Sequence, residues 1–269
     1  MPTELLLILS GLIAGTFGAM VGVGGGILIV PILTLGFGMP LTAAVGTSLI
    51  CVIATSTGAA ALNVRAGRAD VRLGMQLAAA TVIGAATGGI AAGMVPDRVL
   101  AGLFAALLAY TAFTMLEGLR RASGASPDAS GLDPTAPDGP VAPPYRGHRL
   151  PLAWAGSLVA GNVSGLLGVG GGVVTVPLLR LVMGAPMRVA ITTSNFMIGM
   201  TAAAGAYAYL FRGEIDPRIA APLVLGVLAG AALGAGIAAR LRPSWLAGLF
   251  VIVVAYVAVR MAMRAIGAG

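Results

Sequence analysis

Charge is scarce in this sequence: Asp, Glu, Lys and Arg make up 9% of its 269 residues, against about 25% in a soluble domain. So few charges cannot cover the surface of a water-soluble globule of this size, which excludes a soluble enzyme. Lysine is absent altogether. All sixteen basic residues are arginines, set singly or in pairs between apolar runs. A formal charge of +7 scattered in that way is not the clustered basic face that nucleic acid requires, so no nucleic-acid partner is expected. The one cysteine, Cys51, cannot form an internal disulfide and reads as a small buried hydrophobe. The one histidine, His148, lies outside the apolar runs, which leaves no base for nucleophilic catalysis within a membrane. No His/Cys/Asp cluster suggests a metal, and the chain is expected to be a non-enzyme without cofactor. All nine acidic residues fall near the ends of apolar runs or between them, so no intramembrane carboxylate offers a proton path.

What is present is hydrophobic length. Runs of about 20 residues, enough to cross a bilayer, begin with Leu5 to Leu35, Leu41–Val64, Leu73–Val95 and Val99–Leu116. A second group follows with Leu150 to Leu181, Ala185–Leu210, Ile219–Ala239 and Trp245–Met263. The opening Met1-Pro2-Thr3-Glu4 has no basic region, so the first run is expected to stay as a helix and not be cleaved. Between the groups, residues 117–149 hold Asp128, Asp133, Asp138 and six prolines, a composition that cannot bury enough apolar surface to order itself. The expected organisation is a first transmembrane repeat over 1–116, a flexible tether over 117–149 and a second repeat over 150–269.

The repeat itself is read at an offset of 146 residues without a gap. Gly24-Gly25-Gly26 falls on Gly170-Gly171-Gly172, Pro31 on Pro177, Pro40 on Pro186, Thr47-Ser48 on Thr193-Ser194, Asp70 on Asp216 and Tyr110 on Tyr256. Shared Leu and Ala would arise from composition alone; two aligned glycine triplets and aligned prolines would not. The fold expected is therefore all-α and polytopic, with about eight transmembrane helices in two homologous four-helix repeats. Four crossings per half would make the halves parallel, whereas a first run folded as a re-entrant pair would invert them. Arg65, Arg68, Arg72, Arg120, Arg121, Arg146, Arg149, Arg212, Arg218, Arg260 and Arg264 share one side of the eight-helix arrangement. Their excess favours the parallel case, with both termini and the tether cytoplasmic in a multi-pass inner-membrane protein.

The first run of each half is expected to break at its glycines. Each glycine costs a helix interior about 1 kcal/mol relative to alanine, and a proline about 3. Unwound backbone survives at membrane depth only when buried in protein or lining a cavity, and its free amides suit an anion. Candidate substrate-binding residues are thus Gly24, Gly25 and Gly26 with Gly170, Gly171 and Gly172. Thr47, Ser48, Thr193, Ser194 and Asn195, early in the second helix of each half, add uncharged donors. Gly11/Gly15, Gly84/Gly88 and Gly230/Gly234 have the ordinary spacing of helix packing instead.

The pattern G-x-G-G-G-x-x-x-V-P-x-L, present at Gly22 to Leu33 and again at Gly168 to Leu179, resembles the TauE/SafE (TSUP) family of membrane proteins. That resemblance covers the chain outside the tether, whose length departs from the family's compact pattern. It implies transport of small sulfur-containing anions, such as sulfite, sulfonates or related organosulfur acids, across the cytoplasmic membrane. Direction does not carry over, and the residues themselves do not single out sulfur. A channel-like facilitator of small anions and a non-transporting membrane assembly protein stay open beside the transporter. The expected partners are a small anion and the lipid bilayer, with self-association left open.

Overall fold

The computed structural model of the protein describes residues 2–21, 25–65, 70–124, 150–238 and 243–267. Among them are no strands and ten α-helices: α1 Pro2–Val21, α2 Gly26–Pro31, α3 Leu41–Arg65, α4 Val71–Ala92 and α5 Asp97–Gly124, then α6 Leu150–Leu167, α7 Gly172–Leu181, α8 Met187–Phe211, α9 Pro217–Ala238 and α10 Pro243–Ile266. Six stretches among the described residues are long and apolar enough to cross a membrane: Leu41–Ala61, Val71–Ala92, Asp97–Glu117, Leu150–Leu167, Val189–Phe211 and Pro217–Gly234. Helix α5 continues past the boundary expected at 116, where one glycine, Gly118, is tolerated and no proline occurs before Pro127. The remainder of the expected tether, 125–149, lies outside the described residues.

Glycines set the helix packing. Gly11 and Gly15 of α1 rest on Leu223 and Val227 of α9, while Gly226, Gly230 and Gly234 of α9 rest on Ile8, Leu12 and Thr16 of α1. A second seam has the same form. Gly84 and Gly88 of α4 rest on Leu158 and Asn162 of α6, and Gly161 and Gly165 of α6 rest on Thr81 and Ala85 of α4. A methyl group at any of these positions would run into the neighbour's backbone. Small residues are what allow transmembrane backbones to come this close, and lipid supplies no hydrophobic force to replace that contact.

The contacts also give the helix directions. Along both seams the partner numbers rise together, so α1 runs parallel to α9 and α4 parallel to α6. Helix α8 is likewise parallel to α4. Gly74 touches Thr193, Thr81 accepts a 2.8 Å hydrogen bond from Thr201, and Gly89 touches Gly205. Helix α3 runs against α8, with Gly46 at Tyr209, Leu49 at Gly205 and Ser56 at Gly199.

Since α6 and α8 both run with α4, α7 between them must bring the chain back. The short turn between α8 and α9 reverses the chain, so α9 runs with α3, and α1 runs with both. Segment α2 therefore makes the same return in the first half. Its far end agrees: Arg264, in the last turn of α10, donates a 3.0 Å hydrogen bond to the Thr34 carbonyl just beyond α2. Each first run is thus broken at its glycines as expected, and ten α-helices stand among the described residues where about eight were expected. Each run folds as a long helix followed by a short one that doubles back, because consecutive glycines allow a reversal as readily as a kink.

All six residues of α2 are buried, as befits a helix apolar all round. Pro31 has no N–H to give the Ile27 carbonyl, and the ladder widens into a π-helical turn over Ile32–Gly36. Thr34 donates to the Val30 carbonyl at 2.9 Å within that turn.

The seams make a stability prediction. Gly161→Ala forces α6 off the Thr81 carbonyl and should lower stability by about 1–3 kcal/mol, the usual range for overpacking. Gly58→Ala, with nothing within 4 Å, should be neutral or slightly stabilising. Thermal melts of the two variants in detergent compare them directly.

Candidate functional site

The glycine breaks begin with backbone that only glycine adopts readily. Gly25 has φ 69°, Gly168 71°, Gly170 80° and Gly171 77°, a left-handed region that costs an L-residue roughly 1–2 kcal/mol. Gly25 and Gly171 are the N-caps of α2 and α7. The Gly25 carbonyl accepts from the Leu28 and Ile29 amides at 3.1 and 3.3 Å. The Gly171 carbonyl accepts from Val174 and Thr175 at 3.1 and 2.9 Å, and from the Thr175 hydroxyl at 2.8 Å. Gly24 lies outside the described residues.

The two breaks touch. A methyl group on Gly26 would fall 2.8 Å from the Gly168 carbonyl oxygen and 2.8 Å from Val52 Cγ2. Ser48 on α3 sits at this junction and reaches both sides, with Oγ 2.9 Å from the Gly168 carbonyl and 3.3 Å from that of Gly26. One hydroxyl proton is thus shared between the returning segments of the two halves. The junction is tightly closed by apolar side chains. A methyl on Gly170 would meet Val52 Cγ1 at 2.7 Å and Ile198 Cγ2 at 3.0 Å, and both residues are buried.

Around the second break, two hydroxyls are unpaired. The Ser164 hydroxyl of α6 lies 3.5 Å from where a Gly171 Cβ would stand, and the Ser194 hydroxyl of α8 lies 3.9 Å from that of Gly172. Both serines are fully buried, and neither Oγ has a hydrogen-bond partner.

The other expected site residues divide. Thr47 donates to the Ala43 carbonyl of its own helix at 2.8 Å, the inexpensive back-bond open to any helical threonine. Thr193 accepts the Asp70 amide at 3.0 Å and so holds the start of α4, away from the breaks. Asn195 is half-buried on α8, with no hydrogen-bond partner among the described residues. Of the five polar candidates, only Ser48 and Ser194 stand at the glycines. Ser164 escaped sequence reasoning because its counterpart 146 residues earlier is Gly18. Its place one helical turn before Gly168 was the available signal.

Tyr209 also went unnoticed. Its hydroxyl donates to the Gly165 carbonyl at 2.8 Å, just before the second break. Arg212 stacks over the Tyr209 ring at 4.6 Å and donates to the Gly89 carbonyl at 2.7 Å. It also pairs with Glu214 at 2.9 Å, and that carboxylate raises the guanidinium pKa. This cluster ties the end of α8 to α4 and α6. A groove of about 440 Å³ opens beside it, lined by residues including Ala86, Ile90, Ala204, Tyr207 and Phe211, and does not reach the glycine breaks.

Residues 7–261 match the family model described as sulfite exporter TauE/SafE. The probable membrane transporter protein YunE of Bacillus subtilis is 28% identical over 88% of this chain and 89% of its own length. A probable membrane transporter protein of Haemophilus influenzae is 25% identical over 97% of this chain and 98% of its own. One from Methanocaldococcus jannaschii is 27% identical over 90% and 88%. No solved structure matches.

The roles of adjacent hydroxyls separate by mutation. Ser48→Ala leaves the Gly168 carbonyl without its donor and should cost about 1–3 kcal/mol, the range for an unsatisfied buried group. Thr47→Ala frees a carbonyl that its own helix already satisfies, and should shift the melting temperature little. Melting curves of the detergent-solubilised variants give the comparison.

Proposed function

Because the chain belongs to the TauE/SafE sulfite exporter family, we propose that this membrane transporter moves small sulfur-containing anions, bound where its two glycine breaks meet. One observation carries the reading: Gly26 lies against Gly168, with the Ser48 hydroxyl spanning both. Two short returning helices then start from one place deep in the protein. Their first amides have no carbonyl within the helix to bond, and the positive ends of their dipoles point toward the junction. Transporters commonly place substrates at such discontinuous helices, between repeated halves. Hydroxyls and amides suit an oxyanion without adding charge to the bilayer. The closed packing around Gly170 corresponds to an occluded state.

The helix contacts support a duplicated chain. Gly15 rests on Val227 as Gly161 rests on Thr81; Gly84 rests on Leu158 as Gly230 rests on Leu12. Adding or subtracting 146 converts each contact into its counterpart. Helix α3 nevertheless runs against its counterpart α8, which favours inverted halves of five segments over the parallel four-helix halves. Under that topology Arg98, Arg212, Arg218, Arg260 and Arg264 share the face of the two termini. Arg65, Arg72, Arg120, Arg121, Arg180 and Arg188 lie toward the opposite face, from which the 125–149 segment departs, and the sequence joining the helix ends there holds Arg68, Arg146, Arg149, Arg240 and Arg242. Cytoplasmic loops collect positive charge, so that segment is cytoplasmic and both termini face outward.

The transport test is flux in liposomes, offered sulfite, thiosulfate, sulfoacetate, taurine and acetate. Saturable flux of at least one sulfur anion, exceeding that of acetate, is expected; absence of flux for all five would overturn the proposal. Gly171→Val, which places a β-branched side chain at φ 77°, should abolish flux while leaving membrane insertion intact.

Topology has its own test. In a Cys51→Ala background, Ser130→Cys should label only from the cytoplasmic side and Gly269→Cys only from the outer side. Labelling of both from one side would restore the parallel arrangement.

A further inference from the structure

We infer that the hydroxyls that hold the anion at this junction come from the second half alone: Ser164 and Ser194, at the start of α7. The first half serves as the latch. This inference rests on the transport reading above and names the groups that would do the binding.

The argument begins with a difference between the halves. Three buried hydroxyls among the described residues have no partner, and all three lie in the second half: Ser157, Ser164 and Ser194. A hydroxyl taken out of solvent and left unbonded is destabilising, so such groups call for a specific reason. Ser157 stands two turns before Ser164 on α6, whereas Ser164 and Ser194 stand on either side of Gly171 and Gly172. In the first half the counterparts are Gly18, which has no side chain, and Ser48, whose hydroxyl is committed to the Gly168 and Gly26 carbonyls. Equivalent positions therefore have opposite states, one spent and one free.

The chemistry left over at α7 is that of donors. The strongest acceptor there, the Gly171 carbonyl, is already taken by the Val174 amide, the Thr175 amide and the Thr175 hydroxyl. Thr175 has an isoleucine, Ile29, as its counterpart, so this additional donor is also particular to the second half. What remains uncommitted are two hydroxyls and the first amides of a ten-residue helix, with glycine at 171 and 172 keeping side chains out of their way. A hydroxyl can donate or accept, but the amides beside these two can only donate, and the set therefore suits an anion with several oxygens. Ser48 meanwhile holds Gly26 against Gly168 and closes the junction from the other side. Entry of the anion then requires that contact to open, while the donors stay in place.

The test combines binding with stability. Equilibrium binding of sulfite, and of thiosulfate as a second probe, is measured on detergent-solubilised protein carrying Ser164→Ala, Ser194→Ala or both, alongside melting temperatures without anion. A hydrogen bond from a hydroxyl to a charged oxygen is strong enough that each single variant should weaken the bound probe at least about tenfold, and the double variant more. Melting temperatures without anion should be unchanged or higher, because each substitution removes an unsatisfied group. Ser194→Cys, close in shape but a poor donor, should lose affinity as well, and it guards against an alanine variant that does not fold. Wild-type affinity in the double variant would overturn the inference and leave the transport reading standing. A lowered melting temperature in both single variants would also overturn it, by showing that the serines are structural. If the wild-type protein binds neither probe, the same variants are measured with sulfoacetate and taurine; binding of none of these sulfur anions sinks the transport reading and takes this inference with it.

Discussion

Backbone that leaves a helix inside a bilayer has to find its hydrogen-bond partners within the protein, and the rest of this structure follows from that constraint. Two glycine-rich stretches leave their helices here, and each does so where the other can face it. A side chain on Gly26 would run into the Gly168 carbonyl, and one on Gly168 into Val45 of α3. The two could not approach unless the long helices on either side packed at backbone distance. The glycine seams between α1 and α9, and between α4 and α6, provide that packing. Small residues thus work twice: along the seams they bring helices together, and at the breaks they let the chain turn back.

The seams join helices from opposite halves of the chain. Helix α1 leans on α9, and α6 leans on α4, so neither half encloses its own glycine break unaided. The short helix α2 is consequently buried on every side although the chain reverses on both sides of it. Its proline and π-helical turn are tolerated for the same reason, since freed carbonyls can be reached by neighbours such as Arg264. A bundle built from sequential neighbours only would have left these groups facing lipid.

Much of this was legible from the residues. Runs of apolar residues marked most of the helices, and the aligned triplets identified the two breaks. The seam glycines were recognisable by spacing alone. Among the polar candidates, the outcome depended on a single position in each pair. Ser48 and Ser194 stand at the breaks, whereas Thr47 turns back on its own helix and Thr193 accepts the amide of Asp70, the N-cap of α4. Adjacent residues on a helix point about 100° apart, so a Thr-Ser pair read as one motif contains one member facing the junction and one facing elsewhere. Ser164 was hidden because the position 146 residues earlier is a glycine, and a search for matches at that offset passes over the positions that differ.

By itself, the order of residues determined that this chain belongs in a membrane, where it unwinds, and which glycines must stay bare. Those properties depend on local composition: apolar length, absent Cβ atoms and a missing amide hydrogen. The direction of α2 and α7 was decided only in three dimensions. A glycine triplet permits a kink and a reversal alike, and what selects the reversal is the parallel course of α1 with α3, and of α6 with α8, imposed by packing against distant helices. That same packing determines which hydroxyls are consumed and which are left unpaired, because a serine's partner is whichever backbone group the fold brings within 3 Å of it.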